Sequence, residues 1–262
     1  MQPLGPYAAD LSLAMAIADE VDALTLPGST GHLEVELKAD DSPVTAFDRE
    51  AERIIRARVA SERPADAFVG EEYAPTSGGA RQWVVDPIDG TKNFVRGVPV
   101  WATLIALLDD GVPVVGVVSA PALGRRWFAA AGAGAWRGTN LGTAERIGVS
   151  QVNSLADASL SYSSLSGWEQ RGLLPAFLGL AGDVWRTRAY GDFWSYMMVA
   201  EGTVDAAMEP ELELYDMAAL VPIVTEAGGR FTSLAGEPGP FGGDALATNG
   251  SLHDEVLRRL QG

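Results

Sequence analysis

Apolar residues near the start of the chain recur at the spacing of a helix. Within residues 7–26 they form one stripe, made of Leu11, Ala14, Met15, Ala18, Val21 and Leu24. This spacing predicts a helix whose apolar face packs against a core. Pro27 and Gly28 are expected to end that helix. The same pattern predicts a second helix over residues 48–60.

Short apolar runs in the middle of the chain predict the strands of a sheet. The predicted strands are residues 66–69, 82–85, 102–108, 112–119, 125–130 and 135–137. The segment Asp109–Asp110–Gly111 between two of them is a strong hairpin signal, because aspartate and glycine suit a tight turn. Residues 1–149 are therefore expected to form two helices on a meandering antiparallel sheet.

Strands and helices alternate in the rest of the chain. Strands are predicted at residues 158–162, 204–208, 231–233 and 245–248, and helices at residues 168–179, 193–201, 216–227 and 251–260. Such alternation predicts a mixed sheet with helices on its faces. We expect residues 150–262 to form the second half of one compact α/β unit.

The composition narrows the possible functions. The chain has 35 acidic and 19 basic side chains and a net charge of −16, which argues against a nucleic-acid partner. Cysteine is absent, so a disulfide, a thiolate nucleophile and a cysteine zinc site are excluded. His32 and His253 have no ligand spacing, and we interpret both as surface or capping residues.

Nothing in the sequence suggests export or membrane insertion. No basic residue precedes Lys38, whereas a signal peptide begins with a positively charged region. The longest apolar run is too short to cross a bilayer. A cytoplasmic protein without a membrane partner is expected.

The segment 83–94 carries the strongest chemical signal. A buried strand is expected to end at Asp86, Pro87 makes the exit rigid, and Asp89 follows. The two carboxylates can converge on one cation, with the Ile88 carbonyl as a further oxygen ligand. The alternative is an ordinary strand-to-turn junction in which aspartate is the turn former.

The residues after Asp89 can hold an anion. Gly90 allows close backbone approach, and its N–H and that of Thr91 begin a predicted helical turn where a phosphate can bind. Lys92 can also reach an anion, and an ordinary surface lysine is the alternative. A cation site and a phosphate site therefore adjoin, as phosphoryl chemistry requires.

Other acidic residues also lie at the ends of predicted elements. Glu71 and Glu72 follow a short strand, whereas Asp216 and Asp48 each begin a helix. Taken singly, the glutamates suit a solvated loop and the aspartates suit helix N-caps. Taken together, they fit one common site better. Because the ligands would all be oxygens, Mg²⁺ is the expected metal, with Mn²⁺ as a substitute.

Several segments resemble the inositol monophosphatase family of metal-dependent phosphatases. They are Val44–Thr45–Ala46–Phe47–Asp48, Gly70–Glu71–Glu72, Asp86–Pro87–Ile88–Asp89–Gly90–Thr91, Tyr215–Asp216–Met217–Ala218–Ala219 and Glu226–Ala227–Gly228–Gly229. Their order and spacing match across nearly the whole chain. The resemblance implies a layered αβαβα sandwich and a homodimer. One departure is Tyr215, where the family usually has tryptophan, and an aromatic ring is kept.

The resemblance also implies a set of metal ligands, for about two or three Mg²⁺ ions per subunit. The first ion would be held by Glu71, Asp86 and the Ile88 carbonyl. The second would be held by Asp86, Asp89 and Asp216.

The catalytic groups that the resemblance implies lie beside these ligands. Thr91, linked to Asp48, would orient an attacking water beside Glu71. Glu71 and Asp48 would take or relay its proton, and the amides of Gly90 and Thr91 would hold the phosphate. We expect a one-step in-line displacement without a phospho-enzyme.

Two segments are most like a branch of the family that hydrolyses L-histidinol phosphate. They are Tyr190–Gly191–Asp192–Phe193–Trp194 and residues 90–101. The ammonium and imidazole groups of this small phosphorylated substrate favour acidic partners. We therefore assign Asp192 to substrate binding. The resemblance implies the same role for Glu209, seven residues before Asp216, and Asp89 and Lys92 are expected beside them.

Alternatives remain open at this level. Asp192 could be the N-cap of the helix that follows it, and Glu209 could be a surface charge at a strand end. The substrate could instead be inositol 1-phosphate or a nucleotide 3′-phosphate. The chain could also be a catalytically silent protein that binds metal or phosphate.

Overall fold

The computed structural model describes residues 5–29, 35–38 and 43–261 of the chain. Both helices predicted near the start of the chain form, as α1 (Ala8–Gly28) and α2 (Ala46–Glu62). The prediction that Pro27 stops α1 is wrong, because Pro27 lies inside its last turn. There the fixed φ of proline suits a helix, and a single further residue completes the element.

Helix α2 begins earlier than the sequence pattern predicts. Thr45 is its N-cap, and the Thr45 hydroxyl accepts a hydrogen bond from the Phe47 amide at 3.1 Å. The Asp48 carboxylate in turn accepts hydrogen bonds from the Thr45 amide and hydroxyl, which completes a capping box. Asp48 therefore lies in the first turn of the helix, and its N-cap interpretation is wrong.

A seven-stranded sheet follows a short antiparallel pair of strands. The pair is β1 (Val35–Leu37) and β2 (Pro43–Thr45); the sheet contains β3 (Ala67–Gly70), β4 (Arg81–Asp89), β5 (Ala102–Asp109), β6 (Val112–Ala120), β7 (Arg125–Ala130), β8 (Ala135–Arg137) and β9 (Glu145–Arg146), with helix α3 (Thr91–Val95) after β4. Each strand of the sheet pairs with the next along the chain. The pairs are antiparallel except β3 with β4, which run parallel because residues 71–80 return the chain to the end where β3 began. The prediction of a wholly antiparallel sheet is wrong at this edge.

The predicted hairpin joins β5 to β6. Its turn residues Asp110 and Gly111 have φ angles of 48° and 78°. A tight two-residue hairpin requires this left-handed backbone at both positions. The hairpin prediction is confirmed.

The second sheet has five strands in the order β11-β10-β12-β14-β13. They are β10 (Ser159–Tyr162), β11 (Arg186–Arg188), β12 (Ala206–Glu209), β13 (Arg230–Thr232) and β14 (Ala245–Thr248). β10 runs parallel to both of its neighbours, whereas β14 is antiparallel to both of its own. The predicted mixed sheet is therefore confirmed. The hydrophobic pattern misses β11 because two of its three residues are arginines.

Two helices predicted as single elements are each divided. The helices of this half are α4 (Leu165–Gln170), α5 (Leu174–Asp183), α6 (Asp192–Ala200), α7 (Leu214–Met217), α8 (Leu220–Glu226) and α9 (His253–Gln261). Gly172, with φ of 70°, separates α4 from α5. α7 ends at Met217 because Pro222 has no N–H to donate to the carbonyl of Ala218.

The elements stack in five layers. One apolar cluster joins α1 and α2 to one face of the seven-stranded sheet. A second cluster joins the other face of that sheet to α6 and α8 and to the five-stranded sheet. A third joins the far face of the five-stranded sheet to α4, α5 and α9. The αβαβα sandwich is thus confirmed, and the expected boundary near residue 149 stays a prediction.

The interpretation of His253 as a surface or capping residue is wrong. Its ring is fully buried, and its two nitrogens lie 2.9 and 3.0 Å from the hydroxyls of Thr232 and Thr248. Burial lowers the pKa of His253 to about 4, so the ring is neutral at physiological pH. His32 lies outside the described residues. Within the part of the chain that the structure describes, no helix is both long and apolar enough to span a bilayer.

Candidate active site

A cavity of about 600 Å³ opens between the end of β4 and the middle helix layer. It collects most of the residues singled out in the sequence. Its lining includes Glu71, Asp89, Gly90, Thr91, Lys92, Asp192, Glu209 and Asp216. Asp48, Asp86 and Ile88 lie buried directly behind this lining. The fold therefore gathers residues that are distant along the chain.

A bulge in β4 brings Asp86 and Asp89 together. Asp86 pairs with Leu104 of β5, whereas Asp89 pairs with Ala102, so three steps on β4 match two on β5. In a regular strand, residues three apart point to opposite faces, and the extra residue restores both to one face. The prediction that the strand ends at Asp86 is wrong, since pairing continues to Asp89. The Ile88 amide, freed from the ladder, donates to Asp86 Oδ1 at 2.9 Å.

Asp216 joins these two aspartates from helix α7. One carboxylate oxygen from each of Asp86, Asp89 and Asp216 lies within 4.8 Å of the others. Asp216 is not the N-cap of its helix; that position is Glu213, whose amide donates to Asp216 Oδ2 at 2.7 Å. The short helix thus holds the side chain of Asp216 against the end of β4.

Among the described residues, no ion pair neutralises this group of aspartates. Burial, reinforced by the charges of Glu71, Asp89 and Asp216, raises the pKa of Asp86 well above its usual value. Burial and the nearby carboxylates of Asp192 and Asp216 likewise raise the pKa of Asp89. Burial raises the pKa of Asp216 to about 7. A compact set of oxygen donors that carries excess negative charge fits a hard divalent cation.

Glu71 and Glu72 share a partner that the sequence does not reveal. The Lys38 ammonium lies 2.6 Å from a carboxylate oxygen of each. Both glutamates are therefore engaged within the protein, which corrects their interpretation as a solvated loop. The charge of Glu71 still raises the pKa of Asp86, so it lies close to the aspartate group.

Gly90 and Thr91 begin helix α3 at the cavity wall. Gly90 has φ of 83°, and a Cβ there would lie 3.0 Å from the carbonyl oxygen of Val100. The Thr91 hydroxyl lies 3.2 Å from Asp48 Oδ1 and 2.9 Å from the Ile88 carbonyl oxygen. Burial raises the pKa of Asp48, although hydrogen bonds from Thr45 oppose this. Thr91 thus connects the phosphate-type turn to a fully buried acid of α2.

Asp192 lies on the opposite wall and does not cap α6. It is the first residue of that helix, with φ of 49°, and its carboxylate makes no capping hydrogen bond. The Asn93 side-chain amide donates to Asp192 Oδ2 at 2.9 Å. Asp89 satisfies the helix start instead, since its Oδ2 accepts the Phe193 N–H. Burial raises the pKa of Asp192, and the charge of Lys92 opposes this. Lys92 itself is exposed.

Glu209 is not a surface charge. It is 6% exposed and lies at the end of β12 beside the cavity. Burial, reinforced by the charge of Asp192, raises its pKa to about 8. The cavity therefore has one acidic wall formed by the aspartate group and a second formed by Asp192 and Glu209.

The sequence analysis did not predict a role for three residues beside the cavity. Lys38 neutralises Glu71, Asn93 orients Asp192, and the ring of Tyr196 lines the cavity floor. A signal for Tyr196 was present, because it lies four residues after Asp192 and so shares its face of the helix. No local signal connects Lys38 to residues more than thirty positions away.

The fold and the site define a class of protein. Residues 8–261 match the model of the inositol monophosphatase family, so the chain belongs to this family of metal-dependent phosphatases. The chain is therefore a phosphoric monoester hydrolase, and the silent-binder alternative is set aside.

Individual relatives sharpen this assignment. The chain is 58% identical to the histidinol-phosphatase of Streptomyces coelicolor over 259 residues, covering 97% of each chain. It is 57% identical to the histidinol-phosphatase of Mycobacterium tuberculosis over 253 residues, covering 96% of this chain and 97% of the relative. Among solved structures, an inositol monophosphatase from Zymomonas mobilis superposes with a TM-score of 0.87 at 32% identity, covering 98% of this chain and all of the other (100%).

Proposed function

We propose that this protein hydrolyses L-histidinol phosphate to L-histidinol and phosphate, a reaction of histidine biosynthesis. The observation that carries the proposal is the second acidic wall of the cavity, formed by Asp192 and Glu209. A cationic amino alcohol finds its counter-charge there, whereas a neutral polyol brings no positive charge to these two carboxyl groups. The names of the two relatives that are more than half identical support the same substrate.

Mg²⁺ is the proposed cofactor. By the family resemblance, each subunit would bind about two or three ions. Asp86, Asp89 and Asp216 would hold it, with Glu71 and the Ile88 carbonyl completing the ligand set. When bound, the metal supplies an activated water and neutralises the phosphate oxygens. Mn²⁺, another hard cation, is expected to substitute.

The chain's own groups then hold and activate the reactants. The amides of Gly90 and Thr91 lie at the start of α3 and would bind the phosphate. The Thr91 hydroxyl, held between Asp48 and the Ile88 carbonyl, would orient the attacking water. Asp48 and Glu71 would accept the proton of that water, and a buried carboxyl of raised pKa such as Asp48 is a better base than usual.

A comparison of three substrates tests the proposal. Phosphate release would be measured from L-histidinol phosphate, inositol 1-phosphate and adenosine 3′-phosphate in a magnesium buffer. We expect kcat/KM for L-histidinol phosphate to exceed the other two by about 100-fold. EDTA should abolish turnover and magnesium should restore it. A preference for inositol 1-phosphate or the nucleotide would refute the proposed substrate.

Two further expectations complete the proposal. A homodimer, which the family resemblance implies, and a cytoplasmic location, which is expected from the sequence, both stay predictions. Light scattering of the purified protein tests the first, and cell fractionation tests the second.

A further inference from the structure

Within the described residues, two buried polar atoms beside the cavity have no hydrogen bond of ordinary geometry. They are the hydroxyl of Tyr196 and Oε1 of Glu209, and both are buried. Tyr196 is 1% exposed and Glu209 is 6% exposed, yet both side chains line the cavity. Buried polar groups in folded proteins are nearly always paired. The Tyr196 hydroxyl and the Glu209 carboxylate lie close enough to interact with each other, and the phenol oxygen then still has acceptor capacity for a ligand in the cavity.

The surrounding structure keeps the Tyr196 hydroxyl in place. Its ring lies 5.7 Å from that of Phe231 on β13 of the five-stranded sheet, and the side chain is buried in this packing. The preceding residue Ser195 shares a 2.7 Å hydrogen bond with Ser161 of β10, which ties α6 to the five-stranded sheet. The phenol is thus presented to the cavity by a rigid support.

The charges that most affect the Tyr196 hydroxyl are negative. Glu209, Asp216 and Asp89 each raise the pKa of its hydroxyl in addition to the effect of burial, so the phenol stays protonated. A protonated phenol donates one hydrogen bond and still accepts others through its oxygen. Next to acids, the group that it can accept from most favourably is a cation with N–H donors.

We infer that Tyr196, together with Glu209, forms a subsite for the primary ammonium group of the substrate, and that Tyr196 is a specificity-determining residue. An ammonium group has three N–H donors and no acceptor. One N–H would reach the Tyr196 oxygen, a second would reach the Glu209 carboxylate, and the Tyr196 hydroxyl would donate to Glu209 Oε1. Binding then uses the remaining acceptor capacity of both side chains. The inference rests on the proposed function for the identity of the substrate.

The chemistry separates this role from a purely structural one. If Tyr196 served only to fill the core, phenylalanine would replace it without changing the choice between substrates. If its hydroxyl receives the ammonium, loss of the hydroxyl penalises only substrates that carry that group. Selectivity between two substrates, and not activity alone, is therefore the informative quantity.

The test compares L-histidinol phosphate with its des-amino analogue, 3-(imidazol-4-yl)propyl phosphate, in the wild type and in Tyr196→Phe. We expect the wild type to prefer the amino compound and the variant to lose about tenfold or more of that preference, mainly through KM. Turnover of the des-amino compound should change little. Tyr7→Phe removes a phenol that bonds to Asp109 away from the cavity, and should alter neither rate.

The outcomes are distinguishable from those that test the substrate. An unchanged ratio in Tyr196→Phe, or no amino preference in the wild type, overturns the subsite. A preference for inositol 1-phosphate over both imidazole compounds overturns the proposed substrate, and the amino to des-amino ratio still decides the subsite. Thermal melting checks that Tyr196→Phe is folded. If that variant does not fold, Glu209→Gln, which keeps the shape but not the charge, must show the same selective loss.

Discussion

The backbone N–H of Phe193 donates a hydrogen bond to Asp89 Oδ2 at 2.8 Å. A carboxylate of the three-aspartate group therefore also satisfies the first turn of α6, the helix that carries Asp192 and Tyr196. The metal side and the substrate side of the cavity consequently share one contact. A change in the position of Asp89 would therefore affect both the aspartate wall and the wall formed by Asp192 and Glu209.

Replacing Asp86 should separate activity from stability. Asp86→Asn removes one charge from a buried like-charged group, so we expect metal-free stability to be kept or raised. Loss of a group that only supports a metal ligand lowers activity by up to about 100-fold, so loss of the ligand Asp86 itself should lower it further. Phosphate release and thermal melting check this. Asp157→Asn, at an exposed position, is the control and should keep normal activity. Near-normal rates from Asp86→Asn would contradict its assignment as a metal ligand.

Metal-free stability should fall as the pH rises. Burial raises the pKa of Asp216 from 3.8 to about 7, so the folded protein retains a proton that the unfolded chain releases. Stability is then greatest below the unfolded value and is lost as the pH passes through the folded one. Melting temperatures measured in EDTA should decline across this window. The stabilisation gained on adding magnesium should grow with pH, and a constant or shrinking gain would count against a cation at this group.

Gly90→Ala should damage the site as well as the backbone. Gly90 has φ of 83° and an added Cβ would lie 3.0 Å from the Val100 carbonyl oxygen. Gly111→Ala is a matched control, because Gly111 has φ of 78° but open space around it. Both variants should lose about 1 kcal/mol of unfolding free energy through left-handed strain. Only Gly90→Ala should lose phosphatase activity, and equal activities would argue against a role for this turn.

Lys38→Met should alter the response to magnesium. The Lys38 ammonium pairs with Glu71 and Glu72, so it competes with a cation for the first of these carboxylates. Without it, half-maximal activity should need less magnesium, and metal-free stability should fall. Magnesium titrations followed by phosphate release and by melting measure both effects. Arg49→Met breaks an exposed ion pair with Glu36 and should change neither the magnesium requirement nor the metal-free stability by a comparable amount. An unchanged magnesium requirement in Lys38→Met would show that Lys38 does not compete with the cation for Glu71.

Much of the fold follows from local sequence patterns. The apolar stripe of α1, the Asp110–Gly111 turn and the strands β7, β8 and β14 depend on residues close in sequence. Hydrophobic period and turn chemistry therefore predict them. The carboxylates and the glycine turn of the motif from Asp86 to Thr91 could likewise be predicted, because the strand, the proline and the glycine are adjacent in sequence.

Long-range pairing decided the rest. Whether Asp86 and Asp89 face the same way depends on a bulge against β5, and the capping of α6 depends on Asp89 from another layer. The burial of His253 depends on strands β13 and β14 packing around it. Except for Thr248 and His253, the residues that meet in these contacts lie far apart along the chain.

By itself, the sequence determined most of the longer elements and which acidic residues stand near their ends, since those properties arise from neighbouring residues. Only the tertiary structure decided which acids meet, that Lys38 pairs with both Glu71 and Glu72, and that Tyr196 and Glu209 lie together beside the cavity. The physical reason is that hydrogen-bond satisfaction and charge balance are settled between layers, where residues far apart along the chain displace water together.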